Sequence, residues 1–172
     1  KAAEREHILN YGLPGTTFES PRVREHPLGS TGAFYIGMTQ RGGEGLSGAE
    51  KALQNDILQG AMNNQPVPLA MDLRIQGALE NELRDAAIDQ QAAGAIGIVT
   101  NVQTGEILAM ASWPDFDLNK PGAYSEAVKR NHAAVDRYEV GSIFKAISLG
   151  IGLDTGTASL NSIYDGRHPL SV

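Results

Sequence analysis

Apolar residues recur four apart along two stretches of this chain. Ala49, Leu53 and Ile57 make the first series, and Ile75, Leu79, Leu83 and Ala87 make the second. A helical turn of 3.6 residues brings such positions onto one face, so both stretches predict amphipathic helices. The first is expected over Ser47–Leu58, with Gly60 just past its end as a stop. The second starts at Asp72, a plausible N-cap, and runs to about Ala93. Val67–Met71 before it and Ala95–Val102 after it are short apolar runs that read as strands. Asn101–Gly105 supplies turn residues, and Glu106–Ser112 can return as the second strand of a hairpin.

Elsewhere the pattern is weaker. Lys1–Leu9 reads as the end of a helix, and Tyr11–Gly15 as a turn. Glu19 to Thr39 reads as short strands broken at Pro21, Pro27 and Gly29. Gly42–Gly45 is a loop and Asn63–Pro66 a linker. A loop runs from Trp113 to about Tyr124. Gly141 precedes a last helix, Ser142 to about Leu153, which Asp154-Thr155-Gly156 stops. The tail to Val172 has no clear period. Strand, helix, hairpin, helix is the order of an antiparallel sheet with packed helices, an α+β arrangement.

Composition narrows the function classes. Of 172 residues, 41% are hydrophobic and 20% charged, which is globular and not disordered. Net charge is −6 with a pI near 5.1, and there is no basic stripe of the kind a nucleic-acid binder carries. The absence of cysteine excludes a disulfide scaffold and thiolate metal sites. No run approaches the roughly 18 apolar residues of a membrane span. There is no signal peptide, and the chain starts at Lys1 without an initiator Met, so both ends are expected to be cut.

The chemistry centres on Ser142 and Lys145. A serine hydroxyl is a poor nucleophile until a base takes its proton. Residues three apart on a helix share a face, so Lys145 can reach the Ser142 hydroxyl. A lysine acts as a base when burial or nearby positive charge lowers its pKa, and a helix N-terminus supplies partial positive charge. Its free N–H groups can also stabilise an oxyanion. The set fits acyl transfer through an acyl-enzyme. The pattern alone is weak, and a plainer reading stands beside it: Ser142 as a helix N-cap and Lys145 as a solvated lysine.

The surrounding text resembles that of class B penicillin-binding proteins. Arg130-Asn131-His132-Ala133 and Tyr138-Glu139-Val140-Gly141-Ser142-Ile143-Phe144-Lys145 are similar to the family's R-N-R-A and Y-E-P-G-S-T-F-K around its nucleophile. The run from Thr104-Gly105-Glu106-Ile107-Leu108-Ala109-Met110-Ala111-Ser112 to Asn119 resembles T-G-E-I-L-A-M-A-S-x-P-x-F-D-P-N. Met71-Asp72-Leu73-Arg74-Ile75-Gln76 resembles T-I-D-x-x-I-Q. Gly45 to Lys51 and Arg24 to Gly29 resemble motifs of the pedestal, or dimerisation, domain. The matches fall in the family's order from about Leu13 to Lys145, and the text looks nearer to the division-specific, FtsI-like branch than to the elongation branch.

The resemblance implies residues 1–66 as the end of a pedestal domain and 67–172 as the first part of a transpeptidase domain. It implies a peptidoglycan D,D-transpeptidase at the periplasmic face of the inner membrane, its anchor outside this chain. Ser142 is then the nucleophile toward stem peptides and β-lactams, with Lys145 beside it and no cofactor. Division proteins, a glycosyltransferase or a second copy are the implied protein partners. Departures are His26 for Tyr, Leu118 and Val140 for Pro, and His132 for Arg, from which local loop changes are expected.

The family's Ser-x-Asn and Lys-Thr-Gly have no counterpart after Lys145. Ser159-Leu160-Asn161 has the first spelling but lies only 17 residues past Ser142, and reads as a turn. The chain alone is therefore expected to be inactive, and a sheet without later strands to pair with another copy or to be partly disordered. A non-catalytic interaction module is the competing class. A serine β-lactamase or β-lactam sensor is a third, which the pedestal-like text argues against.

Asp115, Asp117, Asn119 and Glu126 have calcium-loop spacing, but Lys120 stands where that loop needs glycine, so a solvated loop is expected. His7, His26, His132 and His168 are scattered and read as structural or surface residues. Gly150, Gly152 and Gly156 read as helix-end glycines, Glu50 and Lys51 as an exposed helix pair, and Trp113 as a packing anchor.

Overall fold

The longest apolar series forms the longest helix. In the computed structural model, which describes residues 2–15, 17 and 24–167, the elements are α1 (Ala2–Asn10), α2 (Ala33–Ile36), α3 (Gly48–Ala52), α4 (Gln54–Asn63), α5 (Leu73–Asp89), β1 (Ala95–Thr100), β2 (Ile107–Trp113), α6 (Glu126–Lys129), α7 (His132–Val135) and α8 (Phe144–Asp154). Two 3-10 turns, Pro121–Ala123 and Gly141–Ile143, lie between them. The chain falls into two compact units, Lys1–Asp136 and Arg137–Val172.

In the first unit β1 and β2 pair antiparallel, with Gly97 opposite Ala111 and Ile98 opposite Met110. The hairpin is the one the apolar run and the Asn101–Gly105 turn residues predict. Asn101 closes it, its side chain accepting from Gln103 N–H at 2.9 Å, while Gly105 takes a positive φ of 77°. Helix α5 packs on the face carrying Gly97, Ala109 and Ala111. A Cβ on Gly97 would stand 2.7 Å from Leu79 Cδ1, so the glycine lets helix and sheet approach. Asp72 caps α5 as expected, accepting from Arg74 N–H at 2.9 Å.

A second cluster lies around α2. Ala33, Phe34, Phe116 and Leu118 are buried together, with Phe34 and Phe116 edge to face at 5.3 Å. Residues 33–36 and residues after β2 thus share one core, so text on both sides of residue 66 builds it.

Several expectations are corrected. Between residues 24 and 39 there are turns and α2 but no strand, because Gly29, Gly32 and Gly37 take positive φ and curl the chain. Glu19–Val23 lie outside the described residues. Residues 67–71 are not a strand: the bond that ties this stretch to the hairpin comes from Asp72, just after it, whose N–H donates to Leu108 O at 2.9 Å. The helix expected over 47–58 breaks at Leu53 into α3 and α4. Gly60 does not stop it. It lies inside α4, and Asn64, at φ 52° and ψ 40°, ends the helix. Helix α5 stops at Asp89, short of Ala93, with Gln91 at φ 51°.

Candidate active site

The second unit carries Ser142 and Lys145. Gly141 takes φ 54° and opens the 3-10 turn that leads straight into α8. Ile143 N–H donates to Val140 O at 3.2 Å. Ser142 stands in the middle of that turn. The N-cap positions are Val140 for the turn and Ile143 for α8, and neither has a side-chain cap bond. The serine is therefore not spent as a cap, which removes the plainer role foreseen for it. Lys145 is the second residue of α8, three past Ser142 along continuous helical backbone, the spacing that puts two side chains on one face. Both are exposed in this unit, and among the described residues no hydrogen bond joins them.

Helix α8 is apolar on all sides. Phe144, Ile147, Leu149, Ile151 and Leu153 are all at least 36% exposed. A helix of this composition ordinarily lies inside a domain. Its C-terminus closes locally: Thr155 Oγ1 donates to Ile151 O at 2.8 Å, and Gly156 takes φ 72°. Residues 159–162 form the turn expected there, with Ser159 N–H donating to Ser162 Oγ at 2.9 Å. His168 lies outside the described residues.

The segment from Arg130 to Asp136 is held by a polar clamp. Asn131 accepts from Ala134 N–H at 3.2 Å to cap α7, and its amide donates to Phe34 O at 3.2 Å. His132 Nδ1 lies 2.6 Å from Asp136 Oδ2, and its Nε2 lies 3.0 Å from Ala127 O. Arg130 Nε donates to the other Asp136 oxygen at 2.7 Å. His132 and Arg130 together hold the Asp136 carboxyl below its usual range. His132 thus has a structural role, as expected of the histidines.

The carboxylates with calcium-loop spacing serve other partners. Asp117 Oδ1 accepts from Asn119 N–H at 2.8 Å, Asp115 lies 3.9 Å from Arg84, and Glu126 pairs with Lys129.

Two polar features escape sequence reading. Glu50, expected as one half of an exposed pair, is 5% exposed and accepts from Arg24 Nε at 2.6 Å. Gln76, fully buried, joins α5 to β2 by its side chain. Both are long-range pairs, and no local periodicity announces them.

Comparison with known proteins bears directly on this region. Residues 95–168 match the penicillin binding protein transpeptidase domain. The chain is 51% identical over 170 residues to the probable peptidoglycan D,D-transpeptidase FtsI of Caulobacter vibrioides, covering 98% of this chain and 29% of that protein. It is 32% identical over 181 residues to the probable peptidoglycan D,D-transpeptidase PenA of Neisseria gonorrhoeae, covering 91% of this chain and 31% of that one. The chain thus spans about a third or less of these relatives' length. Among solved structures, a peptidoglycan synthetase from Bifidobacterium adolescentis superposes with a TM-score of 0.66 at 22% identity, over 92% of this chain and 33% of that one. Penicillin binding protein 3 from Mycobacterium tuberculosis gives 0.66 at 23% identity, over 83% and 34%. These two carry the fold, which is the α+β arrangement expected. By the match over residues 95–168 and the 51% identity to a peptidoglycan D,D-transpeptidase, the chain is similar to a stretch of the penicillin-binding transpeptidases.

Proposed function

We propose that this chain is the nucleophile-bearing part of a peptidoglycan D,D-transpeptidase. The observation that carries the proposal is Ser142 at the start of α8, free of any capping role, with Lys145 one turn on. It stands in a chain 51% identical to a protein named as such a transpeptidase. On this reading residues 1–66 close a pedestal domain and residues 67–172 open the transpeptidase domain.

Ser142 Oγ attacks the carbonyl carbon of the penultimate D-Ala of a stem peptide. Its proton passes to Lys145 Nζ, which must be neutral to accept it. The C–N bond then breaks, and the terminal D-Ala leaves with that proton on its nitrogen. The amine of a neighbouring stem peptide attacks the ester, and Ser142 is restored. First-turn amides of α8 are suited to hold the oxyanion. A β-lactam enters at the first step and stalls as the acyl-enzyme. The reaction belongs outside the inner membrane, where peptidoglycan is assembled. Among the described residues no helix is long and apolar enough to cross a membrane. The open edge of β1 is suited to self-association.

The test is acylation by a fluorescent penicillin, read by intact mass, in a protein in which this chain is extended to the length of its relatives. A single adduct on Ser142, lost in Ser142→Ala, is the expected result. A folded, extended protein that takes no adduct, or takes it elsewhere, overturns the proposal. The 172-residue chain alone is expected to take none.

A further inference from the structure

A cavity of about 510 Å³ opens between residues 38–41 and residues 118–122 of the first unit. Its lining includes Arg24, Arg41 and Lys120, and no aspartate or glutamate. The chain as a whole has 20 acidic and 14 basic residues, so this wall has the opposite sign to the rest of the molecule. Burial holds His26, on the same wall, below its usual range, and Glu50 offsets Arg24, so the positive charge rests on Arg41 and Lys120. Arg24 gives its Nε to Glu50, while among the described residues Lys120 has only Asp117, at 3.9 Å. Arg41 forms no ion pair among the described residues.

The His26 segment is fixed to the 118–122 wall. His26 N–H donates to Asn119 Oδ1 at 2.9 Å, and Asn119 Nδ2 donates back to His26 O at 2.8 Å. One side of the cavity is a bare backbone edge. Residues 38–46 form a tight loop in which Leu46 N–H donates to Met38 O and Gln40 N–H donates to Glu44 O. Thr39 faces Gly45 across this loop as an isolated antiparallel bridge. The loop's bonds run through Met38 and Gln40, so the N–H and C=O of Thr39 point to the other side, where they have no partner among the described residues. Thr39 lines the cavity, beside the apolar side chains of Met38, Leu118 and Pro121.

An unpaired edge, an apolar floor and a rim of cations describe one kind of guest. We infer that this cavity is a docking site for an acidic segment of a partner protein, which lies extended along Met38–Arg41 and adds as a strand at Thr39. Main-chain bonds at an exposed edge give such a complex its affinity, and the charges select the sequence. The inference is independent of Ser142.

The test uses the full chain and fluorescein-labelled hexapeptides, read by anisotropy. An alternating glutamate–valine peptide is expected to bind saturably, and a lysine–valine peptide is not. Arg41→Glu and Lys120→Glu, each shown to be folded by circular dichroism and melting, are expected to weaken the glutamate peptide about tenfold or more. N-methylation of its alternate residues, which removes the strand-forming donors, is expected to cost a similar factor. Three results overturn the inference: no saturable binding of the glutamate peptide, equal binding by the charge-reversed variants, or equal binding of the N-methylated peptide. The last would leave a simple anion site in place of strand addition.

Discussion

The side-chain amide of Gln76 stands in for a neighbouring strand against Met110. Gln76 Nε2 donates to Met110 O at 3.0 Å, and Met110 N–H donates to Gln76 Oε1 at 2.9 Å. The same Nε2 lies 2.7 Å from Glu80 Oε1, which also accepts from Gly32 N–H at 2.8 Å. One buried glutamine thus ties α5, β2 and the turn before α2 together. Gln76→Leu keeps the volume but leaves the Met110 groups and Glu80 short of partners. Since an unmade buried hydrogen bond costs about 1–3 kcal/mol, a loss of about 2–4 kcal/mol is expected in urea unfolding of the chain. A loss under 0.5 kcal/mol would show that these bonds hold nothing.

Gly37 and Gly48 are in backbone contact. A Cβ at Gly37, where φ is 85°, would stand 2.0 Å from Ser47 O, and one at Gly48, where φ is 58°, 2.7 Å from Ile36 O. Positive φ and overlap with main chain act together. Gly37→Ala is expected to destabilise by about 3 kcal/mol or more, against less than about 1 kcal/mol for Gly122→Ala, where a Cβ meets open space. Thermal melts of the two variants compare them directly.

Acid should loosen the N-terminus of α5. The Arg74 side chain and backbone N–H hold the Asp72 carboxyl down to about 2. A carboxylate depressed in the fold binds fewer protons there than in the unfolded chain, so its contribution is present above the usual carboxylate range and is lost as pH falls toward 2. Asp136 is shifted in the same direction. Stability measured from pH 6 to pH 2 should fall, and Asp72→Asn should flatten that fall. An unchanged profile in the variant would exclude Asp72 as a contributor. Because Arg74 is solvent-exposed, the effect should also shrink in salt.

In the extended protein, Lys145→Ala should slow penicillin acylation about a thousandfold or more while the variant still melts cooperatively. Stopped-flow measurement of adduct formation reads the rate. A variant acylated at the original rate would remove Lys145 from the mechanism.

The outer edge of β1 carries Ile96 and Ile98, 39% and 47% exposed. Ile98→Lys should reduce any self-association of the chain seen in sedimentation velocity, because a charge on an edge strand opposes pairing. A sedimentation profile that ignores the substitution would place the contact elsewhere.

Helix α5 and the hairpin were legible because their signal is local. Ile75 to Ala87 repeats at the helical period, and Asn101 and Gly105 spell the turn. The Ser142–Lys145 segment was legible as a helix start. What was not legible depends on distance in the chain. Residues 67–71 have strand-like residues but no strand to pair with. Glu50 looked exposed on its own short helix, and its burial depends on Arg24, 26 residues earlier. Gly60 looked like a stop, yet a Cβ there would stand 2.6 Å from Gln65 O, so its smallness lets the chain fold back past Asn64.

The two edges of the hairpin are unequal. Along β2, Leu108 O is taken by Asp72 N–H and the Met110 groups by Gln76, whereas the outward groups of β1 meet no partner among the described residues. The sheet therefore has a direction of growth. β2 is held by the helix side at Leu108 and Met110, so an added strand would find its unpaired partner groups beside Ile96 and Ile98.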